Sequence, residues 1–584
     1  MYYLVMVQEG AKRAVQRLVE KFERESTAGA IYEYNEPETK AGFIEPFLQA
    51  LSWNTQDRNE VGLETKVSGG RVDYSLKIHG TPRIYVEAKP LKADLAKPDI
   101  VEQAITYGYN KKAVKWVLLT DFQELRLFDV TLKPSKRNLE RGLRLDLRYT
   151  EYLDRFDDLW LLSRPSVETG DLDRALLTKK AERDRLPVDK AILEDLKRWQ
   201  ETLAKDIYKR SNYGLEADRL REAAQRILDR IIFIRSCEDR KLTHAESLRD
   251  LVLQRRDEIG IDFMLVLKGL FRRYDRDFNS DLFTPHFSED LAVDFPVLKE
   301  IILETYEPYL FDVVGIELLG SIYEQYLGYT INLTDKRVKY DLKPEVRKAG
   351  GVYYTPEYIV DYIVRNTVGR LLENRVKGRG GKEKPLRILD PACGSGSFLI
   401  RAYDELMRHY EAMKAEALRK KAEALKATRA DQFAFPLAAE EEEVSPRLTI
   451  MQKRQMVLDH LFGVDIDPQA CEITRLSLML KMLEDEYGIV PGRAVLPLLN
   501  YNIQFGNSLV SGDVLKLQSF FKEAWIKTKS FDWEDRFRTI MKEGGFDVII
   551  GNPPYVRIQD LQTWAPAEAR FYAEHFESAG KGNF

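Results

Sequence analysis

Three groups of residues in this chain have types and spacings that could do chemistry. The first is Asp73 in "RVDYSLKI", a turn at "HGTP" (79–82), then Glu87 and Lys89 in "RIYVEAKP". Side chains alternate along a strand, so Glu87 and Lys89 share one face. An Asp and a Glu on adjacent strands can hold Mg²⁺ through oxygen ligands, leaving sites for water and phosphate. Lys89 can then orient an attacking water or offset charge developing on a phosphate. The plainer alternative is a salt-bridged pair on a surface hairpin. The second group lies in "LRILDPACGSGSF" (386–398), which reads as strand, glycine turn and helix start. Gly394 and Gly396 let the backbone approach a ligand, and Asp390 can accept hydrogen bonds from a ligand's amino group. Neither GxGxxG nor a phosphate loop with its Lys is present at this turn, which argues against NAD and ATP there. In "LFGVDIDP" (461–468), Asp465 ends the next strand and is placed to accept both ribose hydroxyls of an adenosine ligand, while Asp467 suits a helix N-cap. Together these features fit an adenosine cofactor without a pyrophosphate. The third group is "GNPPYVRI" (551–558), directly after the apolar run Phe546–Ile550. Two prolines end the strand in a rigid, half-polar tetrapeptide.

The elements that must position these groups are legible in outline. The chain has 584 residues, enough for about three or four domains. It is 44% hydrophobic and 32% charged, with no apolar stretch near bilayer length and no secretory signal. Three scattered cysteines, Cys237, Cys393 and Cys471, exclude a disulfide framework or zinc cluster and suit a reducing, cytoplasmic setting. A net charge of −4 neither advertises nucleic-acid binding nor excludes it, because basic residues can be confined to one cleft. Residues 1–150 read as a small α/β domain, with helices at about 10–25 and 39–52, three strand runs, a helix, and the strands "WVLLTD" and "LRLFDV". Residues 151–189 read as a charged linker, and 190–340 as an all-α connector whose segment 217–242 carries a helical apolar face. From 341 to 584, short apolar strands alternate with helices, as in a parallel sheet covered on both faces. Residues 411–446 interrupt this pattern as a solvated helical insertion.

"GGVYYTP" (350–356), "DPACGSGSF", "GVDIDP", "FGNSL" (505–509) and "GNPPY" stand in the order found in γ-class DNA adenine-N6 methyltransferases, which this region resembles. The resemblance implies a Rossmann-like domain using S-adenosylmethionine. Tyr354, Thr355 and Pro356 would then lie on the cofactor's methionine side. Asp390, Ala392, Gly394 and Gly396 would line the turn, Asp465 would hold the ribose and Ile466 would pack on the adenine. Relatives often place an Asp against the adenine where this chain has Asn507. On this resemblance "NPPY" is a clamp. Asn552 and the Pro553 carbonyl accept both hydrogens of an exocyclic amine, Pro554 keeps them rigid, and Tyr555 stacks on an extruded base. Methyltransferases acting on protein glutamine or structured RNA share the tetrapeptide, so it does not by itself name DNA.

The amino-terminal pattern resembles the PD-(D/E)xK nucleases, with Val72 in place of the name-giving proline. "EQAITYGYN" (102–110) places Gln103 and Tyr107 four apart on a helix, as in the QxxxY subset, and Glu45 is a candidate further metal-side acid beside Asp73 and Glu87. The whole arrangement resembles Type IIG restriction–modification enzymes, multidomain proteins joining a nuclease to an adenine methyltransferase. The resemblance implies S-adenosylmethionine and Mg²⁺ as cofactors, double-stranded DNA as partner, and no membrane. Such enzymes cut at a distance from the site they methylate. The chain stops at "GKGNF" (580–584), so the expectation is a methyltransferase sheet lacking its last strands, with a target-recognition domain further on or on a separate subunit, and poor methylation by this piece alone. Two alternatives stay open: a methyltransferase with an inactive nuclease-like domain, and a non-catalytic DNA-binding defence scaffold.

Overall fold

The sequence "VGLETKV…GRVDYSLKI…TPRIYVEA" folds into three antiparallel strands, β1 (Val61–Val67), β2 (Gly70–Ile78) and β3 (Thr81–Ala88). This computed structural model describes residues 2–579 apart from 68–69, 92, 112, 135–137, 178–185, 244–246, 256–261, 279–280, 312, 315–319, 321–327, 335–336, 343–354, 377–383, 431–444, 485, 487–494 and 554–557. From β3 the chain crosses through the helix Pro98–Tyr109 to β4 (Trp116–Thr120), which pairs parallel to β3. Then β5 (Glu124–Asp129) and β6 (Leu143–Arg148) complete a six-stranded sheet in sequential order. No strand is expected at 143–148 from the sequence; there Leu145 and Leu147 are buried while Asp146 and Arg148 face solvent.

Both faces of this sheet are covered. Ile84, Val86 and Ala88 meet the helix Tyr2–Thr27 and the segment 36–50, whereas Tyr85, Val117 and Leu119 meet the helix Pro98–Tyr109. The expected helix at 39–52 is broken. An Asn35 capping box with Glu38 opens a short helix Glu36–Thr39, a π-turn spans Lys40–Ile44, and an α-helix resumes at Glu45–Ala50. Residues 151–189, expected as a linker, contribute Tyr152, Phe156, Leu159, Leu162 and Leu172 to the same core.

The helices Val188–Arg210 and Ala217–Asp239 dominate the middle of the chain and pack on each other. A hairpin of β7 (Tyr329–Thr334) and β8 (Arg337–Leu342) lies where mostly helix was expected, with Ile331 and Val338 inserted in the core. The carboxyl-terminal strands are all parallel: β9 (Ile388–Asp390), β10 (Leu461–Asp465), β11 (Ile503–Phe505) and β12 (Val548–Ile549), ordered β11-β10-β9-β12. Each arises from a short apolar run anticipated in the sequence. The insertion continues the helix Ser397–Ala430, whose residues 415–423 are mostly exposed. One hydrophobic cluster takes in Tyr109 and runs from Val188 through Ile550, so the middle helices and the parallel sheet share a core. No helix among the described residues is long and apolar enough to cross a membrane.

Candidate functional site

At the carboxyl ends of β9 and β10 the backbone and two carboxylates interlock. Asp390 is buried and its Oδ1 accepts the Ala392 N–H at 3.1 Å. The chain then reverses at Gly394 (φ +54°) and Gly396 (φ +87°), left-handed conformations that favour glycine. A Cβ at Gly394 would meet nothing within 4 Å, so this side of the turn faces open space. At Gly396 it would lie 2.9 Å from Thr474 Cγ2, because the helix Pro468–Met482 packs against the turn and Thr474 donates to the Gly394 carbonyl at 2.8 Å. Asp465, half-buried, holds the turn from the other strand. Its Oδ2 accepts the Gly394 N–H at 2.9 Å and its Oδ1 the Asp467 N–H at 2.8 Å. Asp467 caps the following helix through the Gln469 N–H, as the sequence suggested. Ile466 beside it is 48% exposed, an apolar side chain left uncovered next to an acidic strand end.

The strand end after β12 closes on the same place. A Cβ at Gly551 would sit 2.7 Å from Asp390 Oδ1, so the glycine lets the carboxylate and the tetrapeptide touch. The Asn552 amide donates to Thr355 Oγ1 at 3.0 Å, joining two motifs almost 200 residues apart. Thr355 is buried, Pro356 caps the helix Glu357–Val364, and Pro553 is exposed. Tyr354, Pro554 and Tyr555 lie outside the described residues.

Asn507, expected near the adenine, has partners of its own in the protein. Its side chain is buried, with Oδ1 accepting the Leu509 N–H at 3.1 Å and Nδ2 donating to the Tyr572 hydroxyl at 3.1 Å. Tyr572 in turn donates to Glu568, whose carboxyl burial pushes above the usual range. This amide therefore ties β11 to the helix Pro566–His575, a partner that "GNSL" could not reveal.

In the amino-terminal sheet the β2–β3 register Tyr74↔Val86 brings Asp73 to the level of Glu87. Both are buried, and burial pushes both carboxyls above the usual range; Asp73 adds to the rise at Glu87, while lysines oppose it. Asp73 Oδ2 accepts the Ala88 N–H at 2.7 Å, and Lys89 Nζ donates to Glu87 Oε1 at 2.7 Å. Lys40, which sequence reasoning missed, bonds Asp73 Oδ1 and also Glu36 Oε1, the latter at 2.7 Å. The i,i+4 spacing in "EPETK" was the available signal. Glu45 accepts from the Tyr74 hydroxyl at 3.2 Å. Gln103 is exposed on its helix, whereas Tyr107 is buried among Tyr85, Val101 and Val117. At the end of β4, buried Asp121 is pushed up to about 7 by burial; it accepts the Glu124 N–H at 2.8 Å. Among the described residues no three acidic, His or Cys side chains gather as a metal cage. Asp73 and Glu87 nevertheless present hard oxygen donors side by side, a set that fits Mg²⁺ with waters completing its shell.

Residues 315–495 match the "N-6 DNA Methylase" family model and 459–584 match "Eco57I restriction-modification methylase". The chain is 27% identical to the Type II restriction enzyme and methyltransferase RM.Eco57I of Escherichia coli, covering 98% of this chain and 55% of that protein. It is 25% identical to the putative type II restriction enzyme and methyltransferase RM.MjaORFECS2P of Methanocaldococcus jannaschii, covering 81% and 46%. The chain thus spans about half the length of the curated relatives it matches. Among solved structures, the Type IIL restriction-modification enzyme MmeI in complex with DNA aligns at TM-score 0.38 and 17% identity, covering 66% of this chain and 47% of that one. The type IIG endonuclease BpuSI aligns at TM-score 0.26 and 13% identity, over 82% and 43%. The resemblance to restriction–modification enzymes carrying an N6 methylase, drawn from the motifs, is borne out by these sequence matches.

Proposed function

We propose that this chain carries the adenine-N6 methyltransferase and nuclease parts of a restriction–modification enzyme acting on double-stranded DNA. The observation that carries the methyltransferase reading is the junction of Thr355 with Asn552 and of Gly551 with Asp390, which joins the strand-end tetrapeptide to the glycine turn. The open face at Gly394, the Asp465 carboxylate and the exposed Ile466 fit S-adenosylmethionine: Asp465 would hold the ribose hydroxyls and Ile466 would cover the adenine. When bound, that cofactor supplies an electrophilic methyl group.

The residues of the chain do the positioning. Thr355 takes the donor end of the Asn552 amide, so the acceptor role toward a target amine falls to Oδ1. Together with the Pro553 carbonyl it would hold both amine hydrogens and keep the nitrogen lone pair from delocalising into the base. Tyr555 would stack on the extruded ring. In the other site Asp73 and Glu87 would hold Mg²⁺, which supplies Lewis-acid polarisation of a phosphate, and Lys89 would steady the attacking water.

Transfer of radiolabelled methyl from S-adenosylmethionine to duplex DNA tests the first half. Asn552→Ala should lower transfer by roughly 10²-fold through lost positioning while cofactor binding persists. Undiminished transfer would sink the reading. Mg²⁺-dependent DNA cleavage that disappears in Lys89→Ala tests the second half. The competing reading, a silent nuclease-like domain, is favoured by one observation: a second lysine, Lys40, already sits on Asp73.

A further inference from the structure

We propose that Lys40 is a resident counter-cation of Asp73 that a divalent cation must displace, so that Lys40 sets the metal affinity of this site. The inference rests on the nuclease reading of Asp73 and Glu87. Both carboxylate oxygens of Asp73 are engaged, Oδ2 by the Ala88 N–H and Oδ1 by the Lys40 ammonium. Lys40 is itself largely enclosed, with a side chain only 17% exposed, and Glu36 anchors it from the preceding turn. This is a held geometry, unlike a loose surface pair, whose two long side chains are screened by water.

The charges around the site favour exchange over coexistence. Glu36, Asp73 and Glu87 face Lys40 and Lys89, leaving one net negative charge, while Glu45 is engaged by the Tyr74 hydroxyl and is not among the charges acting on Asp73 or Glu87. A dication entering with Lys40 in place would turn that excess positive in a partly buried pocket. The same dication entering as Lys40 leaves brings the group to neutrality. The backbone has a place for that departure. Lys40 opens the π-turn Lys40–Ile44 between two α-helical segments, and single-turn π-bulges of this kind recur at functional sites.

Mn²⁺ titrated into the full chain and followed by calorimetry tests the idea without any DNA. Lys40→Met should bind Mn²⁺ on the order of tenfold more tightly, the scale of removing one cation from beside a buried carboxylate. Lys40→Arg, which keeps the charge, should stay within roughly twofold of the natural chain on the same argument. Lys40→Gln keeps a hydrogen bond to Asp73 without the charge and carries the same expectation as Met if the Met variant fails to fold. Unchanged or weaker Mn²⁺ binding in a folded neutral variant overturns the proposal. Asp73→Asn separates the two levels. If it abolishes Mn²⁺ binding while the neutral Lys40 variants do not tighten it, only the Lys40 inference falls. If Asp73→Asn leaves Mn²⁺ binding intact, or the natural chain binds none, the metal-site reading falls and takes the inference with it.

Discussion

A single methyl group at Gly551 would strike Asp390 Oδ1 at 2.7 Å, and the atoms around it have little freedom to give way. Asp390 is buried and its Oδ1 also accepts the Ala392 N–H. Gly551→Ala should therefore part the tetrapeptide from the glycine turn, costing about 1–3 kcal/mol by overpacking and, on the methyltransferase reading, weakening S-adenosylmethionine binding. Calorimetric titration with the cofactor and a thermal melt would read the two effects. Asp121 makes a different prediction. Its pKa is raised to about 7 by burial, so the folded chain keeps this proton longer than the unfolded one. Its stabilising contribution is present in acid and is lost as pH rises from the ordinary carboxylate range to about 7. Asp121→Asn, which can still accept the Glu124 N–H, should gain stability relative to the natural chain as pH rises from the ordinary carboxylate range to about 7 and keep that gain above it; denaturation followed by tryptophan fluorescence would show it. At this scale the sequence announced residues whose chemistry is local, such as the helix cap Asp467. It did not announce Lys40 against Asp73, the use of Asn507 by Tyr572, or the need for glycine at 551, because each depends on a partner far along the chain.

The helix Pro98–Tyr109 shows how tightly an element is fitted. A Cβ at Gly108 would collide with Val117 Cγ2 on β4 and come within 2.9 Å of Val130 Cγ2. Gly108→Ala should lift the helix from the sheet that carries Glu87 and Lys89, destabilising by about 1–3 kcal/mol despite alanine's better helix propensity. A lowered melting midpoint checks this, and an unchanged one would mean that the helix shifts freely. The strands of the parallel sheet were visible as apolar runs, since strands buried on both faces read as such, whereas β1 and β2 showed as alternating polar and apolar residues. The exceptions have physical causes. β6 alternates polar and apolar residues in a charged stretch, and β7–β8 is a hairpin flanked by helices, so neither offers a continuous apolar run. The π-turn at 40–44 adds one residue to an otherwise helical pattern, which periodicity alone does not register.

Across the molecule, the amino-terminal sheet is joined to the middle of the chain through a few contacts at the end of that same helix. Asn110, 1% exposed, donates to the Pro308 carbonyl at 2.7 Å and accepts the Leu310 N–H at 3.1 Å. Lys133 pairs with Asp195 at 2.7 Å, and Val313 enters the amino-terminal cluster. Domain boundaries drawn from composition could not foresee this, because the clasp is made by a neutral amide and two backbone groups. Asn110→Ala leaves both of those groups unpaired, at about 1–3 kcal/mol each. The expected outcome is that calorimetric unfolding splits, with the amino-terminal sheet melting first; one unsplit transition would show that the clasp is dispensable. The clasp has a further consequence on the DNA-cleaving reading. The helix it terminates has 12 residues, about 18 Å of rigid rod. Pivoting that rod by roughly 10° at Asn110 sweeps its far end by about 3 Å, close to one base-pair step along a duplex. One buried amide thus sets the heading of the rod that backs the strand carrying Glu87, and loosening it would shift the seat of that strand against the middle of the chain.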